Sequence, residues 1–294
     1  MIARSRQSAP QDGPLVILGA GYTGRVLYSK AIEAGCHVLA TSRRPDAHLA
    51  HLPRAARLAF DLARRDTWAA LPPEPSLIWC FPAAPLEQVR AFASEKLAQP
   101  RRLVVLGSTS AYDVPRQADP GTAPELDEEA PLARWSPRVQ GEEFLRTQHG
   151  AIVLRAAGIY GPGRHVLTWI RQGRVTASPR HVNLIHVEDL AGICLAALAR
   201  GTPGEAYNVS DGTPRQWSEI CEEAERRWGV VAGPAAPDRR PGKRIVVGKL
   251  KTRIGYTFKY PDLYQALQEI EASEEGSSNS LRHSRGGGNP SFLS

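Results

Sequence analysis

The feature that most constrains the fold is a glycine-rich turn between an apolar run and an amphipathic segment. From residue 14 the chain reads PLVILGAGYTGRVLYSKAIEAGCHVLATSRR. Leu15 to Leu18 are typical of a buried parallel strand, Thr23 to Ala34 carry apolar residues at helical spacing, and Cys36 to Ala40 suit a second strand. The sequence therefore predicts a strand, a helix and a strand within about 30 residues.

The glycine spacing in GAGYTG has a mechanical reason. Gly19 makes the tight turn, Gly21 lets the backbone approach a pyrophosphate, and Gly24 permits close packing of helix and strand. The helix N-terminus then faces the phosphates. We interpret Gly19, Gly21, Tyr22, Thr23 and Gly24 as contacts of a bound dinucleotide; a purely structural turn is the alternative.

The end of the second strand indicates which dinucleotide is bound. An NAD-binding unit would place an Asp or Glu here for the ribose hydroxyls, whereas this chain has Ser42, Arg43 and Arg44. A serine and two arginines can hold a 2′-phosphate. We therefore predict NADP rather than NAD as the cofactor, the alternative being that these arginines only cover the surface.

Strands and helices continue to alternate after this unit. We predict strands over Arg57 to Phe60, Ser76 to Phe81 and Arg102 to Gly107, with a helix from Leu86 to Leu97. This order predicts an α/β fold, a Rossmann-type doubly wound parallel sheet whose ligands lie at the carboxyl ends of the strands. The polar stretch from Ser108 to Tyr112 follows the fifth strand and falls at such an end.

Five motifs together point to a family. GAGYTGR, STSAY, LRAAGIYGPGRH, NLIHVEDLA and AYNVSDG resemble, in order and spacing, the extended short-chain dehydrogenase/reductase superfamily, which includes the NAD-dependent epimerases and dehydratases. The run GPGRH followed by HVNLIHVEDL is similar to the atypical YeeZ-like subgroup. The resemblance covers roughly residues 14 to 270. It implies an NAD(P)-binding Rossmann domain over 14–160 and a smaller C-terminal substrate domain over 161–272, whose segments interleave with the sheet.

The resemblance also assigns site residues. Family members use a Ser or Thr after the fifth strand, a Tyr that moves the substrate proton, and a Lys four residues later that holds the nicotinamide ribose. It puts Ser108 in the position of that Ser, in contact with cofactor and substrate, and Ser110 close enough to share the substrate. Further cofactor contacts implied are Asp61, Leu62, Ala83, Ala84, Ala157, Gly158 and Ile159.

The segment ARWSPRVQGEEF, residues 133–144, should carry the Tyr and the Lys and contains neither. Ser136 and Pro137 fit the cap and first residue of a helix. One register puts Trp135 and Val139 in the two positions; the other puts Arg134 and Arg138 there. Arg138 can supply the positive charge of the Lys, but arginine is a poor proton donor because its pKa exceeds about 12.

The proton must then come from elsewhere. Tyr112 is our candidate beside Ser108, Ser110 and Arg138. His165, His186 and Tyr160 are further ionisable groups near the expected pocket. The alternative is that Tyr112 and Tyr160 are packing residues and that His186 holds a loop through hydrogen bonds. The expected activity is that of an NADP-dependent oxidoreductase or epimerase/dehydratase acting on a small hydroxylated or sugar-nucleotide substrate. The alternative is a cofactor-binding sensor or scaffold protein without turnover. A sugar nucleotide would need a basic pocket, for which the candidates are Arg155, Arg164, Arg171, Arg174 and Arg180.

Composition limits the other possibilities. The net charge of +7 is carried by arginines interleaved with acids, which does not favour nucleic-acid binding. We expect no membrane span, no signal peptide and a cytoplasmic protein. The four cysteines lack metal-ligand spacing, so neither a metal site nor disulfides are expected. We expect residues 1–13 to be a flexible leader and 273–294, rich in Ser, Gly and Asn, a disordered tail. A homodimer through the helix at 133–144 is compatible with the resemblance.

Overall fold

A computed structural model of the chain describes residues 13–98, 102–114, 123–234 and 242–285, with side chains through residue 276. The predicted leader lies outside the described residues except for Gly13. The described strands are β1 (Leu15–Leu18), β2 (Val38–Ser42), β3 (Arg57–Ala59), β4 (Ser76–Trp79), β5 (Arg102–Ser108), β6 (Glu125–Leu126), β7 (Ile152–Ala156), β8 (Gly158–Tyr160), β9 (His181–Val182), β10 (Leu184–His186), β11 (Ala206–Val209), β12 (Arg215–Gln216) and β13 (Arg244–Ile245). The described α-helices are α1 (Tyr22–Glu33), α2 (Pro45–His48), α3 (Leu86–Lys96), α4 (Pro137–His149), α5 (Val166–Arg171), α6 (Val187–Arg200), α7 (Trp217–Trp228) and α8 (Leu263–Arg285).

Seven strands form a parallel central sheet in the order β11-β7-β5-β4-β1-β2-β3. The chain builds β1, β2 and β3 outward on one side and then returns to place β4 on the other side of β1, where Ile17 pairs with Ile78. The order of the strands thus reverses between β1 and β4, which is where ligands bind in open α/β sheets. The predicted doubly wound fold is confirmed.

Helices cover both faces of the sheet because the central strands are apolar on both sides. On one face α1 and α6 pack against the sheet, with Leu27 and Leu190 fully buried between them and the strands. On the other face Phe92 of α3 and Leu145 of α4 are fully buried. The sheet therefore holds rigidly the strand ends at which the candidate site lies.

A third core cluster lies beside the sheet and is built from α5, α7 and α8, with Ile170, Ile220 and Leu267 at its centre. Three short strand pairs connect this part to the rest: β8 with β10, β9 with β12, and β6 with β13. The β6–β13 pair holds the two residues that directly follow Lys243, a residue of the candidate site described below.

The C-terminal segment differs from the predicted disordered tail. Helix α8 continues through residue 273 to Arg285, and residues 286–294 lie outside the described part. An ion pair and a backbone hydrogen bond hold the middle of α8. Glu271 accepts two hydrogen bonds from Arg171 at 3.0 and 2.6 Å, and Glu274 accepts one from the Gly163 amide at 2.8 Å. The prediction rested on the polar composition of residues 273–294, which does not reveal contacts with distant residues. Among the described helices, none combines the length and hydropathy needed to cross a bilayer.

Candidate functional site

A cleft of about 570 Å³ opens where the strand order reverses, at the carboxyl ends of β1 to β4. Several of the contacts predicted from the sequence line it: Gly19, Gly21, Ser42, Arg43, Asp61 and Leu62. The predicted contacts Tyr22, Thr23 and Gly24 lie outside its lining. Phe60, Phe81 and Gln88 also line it, and no sequence motif indicated these three.

Two of the three glycines of the turn are required by their surroundings, and the third leaves open space. Gly19 has a φ of +84°, and a Cβ there would lie 2.7 Å from the Phe81 ring. A Cβ on Gly24 would lie 2.9 Å from the Gly19 carbonyl oxygen, so helix and turn could not approach as they do. At Gly21 a Cβ would meet nothing within 4 Å, which leaves the backbone open to the cleft. Gly21 caps α1, whose first turn, with Tyr22 and Thr23, contains no acidic residue.

Positive groups gather at the end of β2. Arg43 and Ser42 line the cleft as predicted, whereas Arg44 is exposed and lies outside the lining. Two further residues, which were not predicted from the sequence, stand beside them: His48 Nδ1 lies 2.9 Å from the Ser42 Oγ, and Arg25 donates to the His48 carbonyl oxygen at 3.0 Å. Arg25 directly follows the last glycine of the motif, and that position is the signal that could have found it.

Only one of the two alanines predicted as cofactor contacts in the turn after β4 lines the cleft. Ala84 lines the cleft, but Ala83 is fully buried and its carbonyl oxygen points at Gly141 of α4. A Cβ on Gly141 would lie only 1.8 Å from that oxygen. Ala83 therefore packs the helix against the turn and does not face the ligand.

A second cavity of about 420 Å³ lies at the carboxyl end of β5. The Ser108 Oγ accepts from the Ser110 amide at 3.1 Å and from the Ser110 hydroxyl at 3.0 Å, so the two predicted serines act as a pair. Ala157 and Gly158 line this cavity as predicted, whereas Ile159 packs against the core. We call this space the serine pocket; it is lined by Ser108, Thr109, Ser110, Val114, Ala157, Gly158, Arg180, His181, Val182, Asn183, Gly242 and Lys243.

Lys243 is the lining residue with the most chemical consequence, and it was not predicted from the sequence. Its Nζ donates to the Thr109 carbonyl oxygen, one residue beyond Ser108. Burial, helped by the positive charge of Arg180, lowers the pKa of Lys243 from its ordinary value to about 8. The two residues are separated by 134 positions, so no local motif joins them.

Arg138 lies outside the lining of the serine pocket, contrary to its predicted catalytic position. Its Nε donates to the Glu142 Oε1 at 2.8 Å, one turn along α4, and its Nη2 donates to the Leu106 carbonyl oxygen at 3.3 Å. Glu142 is 2% exposed, and burial raises the pKa of its carboxyl group although Arg138 opposes the shift. Arg138 is thus the partner of a buried acid.

Tyr112 is likewise outside the pocket lining, which corrects its predicted place beside the substrate. Its hydroxyl donates to the Asn208 Oδ1 at 2.5 Å and accepts from the Arg155 Nη1 at 3.2 Å. The side chain is 4% exposed, and burial raises the pKa of the phenol. These contacts join β5 to β7 and β11, so Tyr112 packs the sheet.

The other register for the missing pair brings no proton donor to the pocket either. Trp135 is 76% exposed and Val139 is 2% exposed, and neither lines the serine pocket. Helix α4 begins at Pro137 with Ser136 as its cap residue, as predicted. The helix that should carry the catalytic pair is therefore present, but none of its residues lines the serine pocket.

The remaining ionisable candidates are buried away from both cavities. His165 lies under α8, with its Nε2 3.5 and 3.6 Å from carboxylate oxygens of Glu274 and Glu271. His186 caps α6, its Nδ1 accepting from the Glu188 amide at 3.2 Å. Tyr160 is fully buried, and burial raises its pKa far above the ordinary value.

Of the five arginines considered for a diphosphate, Arg180 alone lines the serine pocket among the described residues. Arg155 is buried in the Tyr112 network, and Arg164 lies over the Tyr22 ring at 5.5 Å. Arg171 is bound to Glu271, and Arg174 is exposed. The predicted basic pocket is therefore reduced to Arg180, to which the structure adds Lys243.

Comparison with known proteins gives both sequence and structural relatives. The chain is 29% identical over 168 residues to Protein YeeZ of Escherichia coli, an alignment that takes in 55% of this chain and 59% of YeeZ. The chain thus spans less than two thirds of the length of the curated relatives it matches. No family model matches the chain.

Two solved structures illustrate the structural likeness. An NAD-dependent epimerase/dehydratase from Methylobacillus flagellatus superimposes with a TM-score of 0.71 and 25% identity, over 90% of this chain and 99% of that one. The human epimerase family protein SDR39U1, solved with NADPH, gives a TM-score of 0.66 and 18% identity, over 87% of this chain and 98% of that one. The predicted resemblance is confirmed: the chain has the fold of the short-chain dehydrogenase/reductase superfamily, and the proteins it is similar to are NAD-dependent epimerases/dehydratases and YeeZ.

Proposed function

We propose that this protein binds NADP and reduces or oxidises a small carbonyl or hydroxylated substrate. The observation that carries the proposal is that two cavities lie at the carboxyl ends of the sheet strands, one at β1 to β4 and one at β5. The cleft holds an open glycine turn at a helix N-terminus with Arg25, Ser42 and Arg43 beside it, and the serine pocket lies at the end of the strand two positions away from β1.

The residues present fit a phosphorylated dinucleotide. The open backbone at Gly21 and the acid-free first turn of α1 suit a pyrophosphate, and β2 ends in a serine and an arginine instead of an acid. When bound, a nicotinamide dinucleotide supplies or accepts hydride. The chain's own part is to hold the phosphates at Gly21, Arg25 and Arg43 and to orient a substrate oxygen at the Ser108 hydroxyl.

A small substrate fits better than a sugar nucleotide. A diphosphate calls for several convergent cations, and the arginines that could have provided them are engaged with Glu143, Tyr22 and Glu271. The serine pocket offers two cations, Arg180 and Lys243, and three residues with hydroxyl groups, Ser108, Thr109 and Ser110. A substrate with one carbonyl group and one neighbouring anionic group could be bound by these cations and hydroxyls.

A cofactor-binding sensor without turnover is the second candidate. It is favoured by the segment at the start of α4, where neither register, Trp135 with Val139 or Arg134 with Arg138, supplies the proton-moving pair. The two functions share the cofactor site and differ only in whether the reduced dinucleotide is consumed.

Fluorescence titration of the purified protein with NADPH and with NADH tests the proposal, followed by a turnover screen with short-chain α-keto acids such as glyoxylate and pyruvate and, as uncharged comparisons, glyoxal and diacetyl. We expect NADPH to bind at least about 10-fold more tightly than NADH, because a 2′-phosphate adds charge-assisted hydrogen bonds. Equal binding of the two would overturn the preference for NADP. Tight NADPH binding without oxidation of NADPH by any carbonyl would favour the sensor.

A further inference from the structure

Lys243 is held in the serine pocket by two hydrogen bonds between Asn183 and the backbone that follows its Cα. The buried Asn183 donates from Nδ2 to the Lys243 carbonyl oxygen at 2.8 Å and accepts from the Ile245 amide at 2.9 Å. The next two residues form β13. This clamp fixes the point from which the side chain reaches across to the Thr109 carbonyl oxygen.

The ammonium group enters a positively charged and partly dehydrated surrounding. Arg180 and His181 come from the segment at β9, and the Tyr112 ring centroid lies 6.0 Å from the Lys243 Nζ. Arg244, the neighbour along the chain, is paired with Glu125 at 3.3 Å. No acidic residue lines the pocket in the part of the chain that the structure describes. A partly buried lysine near Arg180, with no carboxylate lining its pocket among the described residues, gives up its proton more readily than one in water.

We propose that Lys243 is the catalytic acid and base of the serine pocket, delivering the proton to the substrate oxygen that Ser108 orients. This inference rests on the proposed oxidoreductase function. Lys243 would take over the proton transfer for which α4 has no suitable residue, although it comes from a different part of the fold. This role needs one lysine, whereas the family uses a tyrosine and a lysine.

The step balances with a reduced nicotinamide dinucleotide as the reductant. A C–H bond forms at the substrate carbonyl carbon from the donated hydride, and the π electrons of the C=O bond pass to oxygen. The Lys243 N–H bond breaks as the new O–H bond forms, giving an alcohol, the oxidised dinucleotide and a neutral amine. The amine takes its next proton from solvent, and alcohol oxidation runs through the reverse sequence.

The chemistry sets a pH dependence with a definite sign. Carbonyl reduction requires the charged form of Lys243, so its rate should fall as pH rises through about 8. Alcohol oxidation requires the neutral amine, so its rate should rise over the same interval. Neither change is expected from the Ser108 hydroxyl, which does not titrate in this range.

Three variants of the full chain test the inference: Lys243→Arg, Lys243→Ala and the control Lys249→Arg, whose lysine pairs with Glu205 on another part of the surface. We expect the arginine variant to bind NADPH normally, to lose at least about 100-fold in kcat and to lose the pH inflection, because the loss of a positioned acid costs about 10² to 10⁴ in rate. Ethylamine added to the alanine variant should restore part of the rate. The control should match wild type.

A measurement without turnover supports the same test. Reductive ¹³C-methylation followed by NMR titration should show one lysine resonance that titrates near pH 8 and is missing in Lys243→Arg. Wild-type oxidation of NADPH that is unchanged in rate and pH profile by Lys243→Arg would overturn the role of Lys243 and leave the proposed function standing. A wild type that neither binds NADPH nor oxidises it with any carbonyl would overturn both.

Discussion

The carbonyl oxygen of Ala83 occupies the space that a side chain on Gly141 would need, 1.8 Å from the ideal Cβ position. This contact seats α4 against the turn that follows β4, and the glycine lies where the helix touches that turn. Gly141→Ala should therefore lower the free energy of unfolding by roughly 1 to 3 kcal/mol, as expected for overpacking against backbone. Chemical denaturation of the purified variant measures it.

Gly276→Ala is the matched control for that substitution. Gly276 also lies within a helix, α8, but a Cβ there would meet nothing within 4 Å. Because alanine is the better helix former by about 1 kcal/mol, this variant should be neutral or slightly more stable. If Gly141→Ala behaved like Gly276→Ala, the close packing of α4 on Ala83 would be wrong.

The pair formed by Arg138 and Glu142 should contribute to stability. Replacing Arg138 with Met leaves a carboxylate that is 2% exposed without its hydrogen-bonded partner, and we expect a loss of roughly 3 kcal/mol in the free energy of unfolding. Adding Glu142→Leu should recover much of that loss, since the buried charge is gone. Arg134→Met, at an exposed arginine, should change stability by less than about 0.5 kcal/mol. An Arg138→Met variant with wild-type stability and reduced turnover would return Arg138 to a catalytic position.

Arg43 and Arg44 are adjacent in the sequence and different in the structure. Both are exposed, but Arg43 lines the cleft beside Ser42 whereas Arg44 lies outside its lining. We expect Arg43→Ala to weaken NADPH binding by about 10- to 100-fold and to leave NADH binding nearly unchanged, because only the former ligand offers a 2′-phosphate. Arg44→Ala should alter neither by more than about 2-fold. Equal losses in both variants would indicate a general effect of surface charge.

The sequence predicted most of the fold because its signals are local. The strand Leu15–Leu18, the start of α4 at Pro137 and the glycine turn each follow from fewer than about ten consecutive residues. The serine pocket is different. Lys243 and Thr109 meet through the pairing of β13 with β6, two strands of two residues each that have no periodicity to detect. The buried place of Tyr112 was missed for the same reason, since Asn208 and Arg155 reach it from distant strands.

His186 should make stability fall in mild acid. Its Nδ1 accepts the Glu188 amide at 3.2 Å, and its ring stacks on Tyr260 with centroids 3.8 Å apart, so the native state needs the neutral ring. Burial lowers the pKa of His186 from 6.5 to about 4, despite nearby Glu188 and Asp189. Between those two values the unfolded chain binds a proton that the folded chain does not. The free energy of unfolding should therefore decline as pH falls from 6.5 toward 4, by up to about 3 kcal/mol for this 1% exposed side chain, and should be unaffected by this group above 6.5.

Comparing His186→Asn with wild type isolates that contribution. Asparagine keeps a side-chain acceptor at the helix cap but does not titrate, so the variant should be less stable near pH 7 through the loss of ring packing and should lose less stability on going to pH 4. His51→Asn, at an exposed histidine, should reproduce the wild-type slope. Denaturant midpoints measured from pH 4 to 8 distinguish the three proteins, and parallel slopes for wild type and His186→Asn would mean that folding does not lower the pKa of His186.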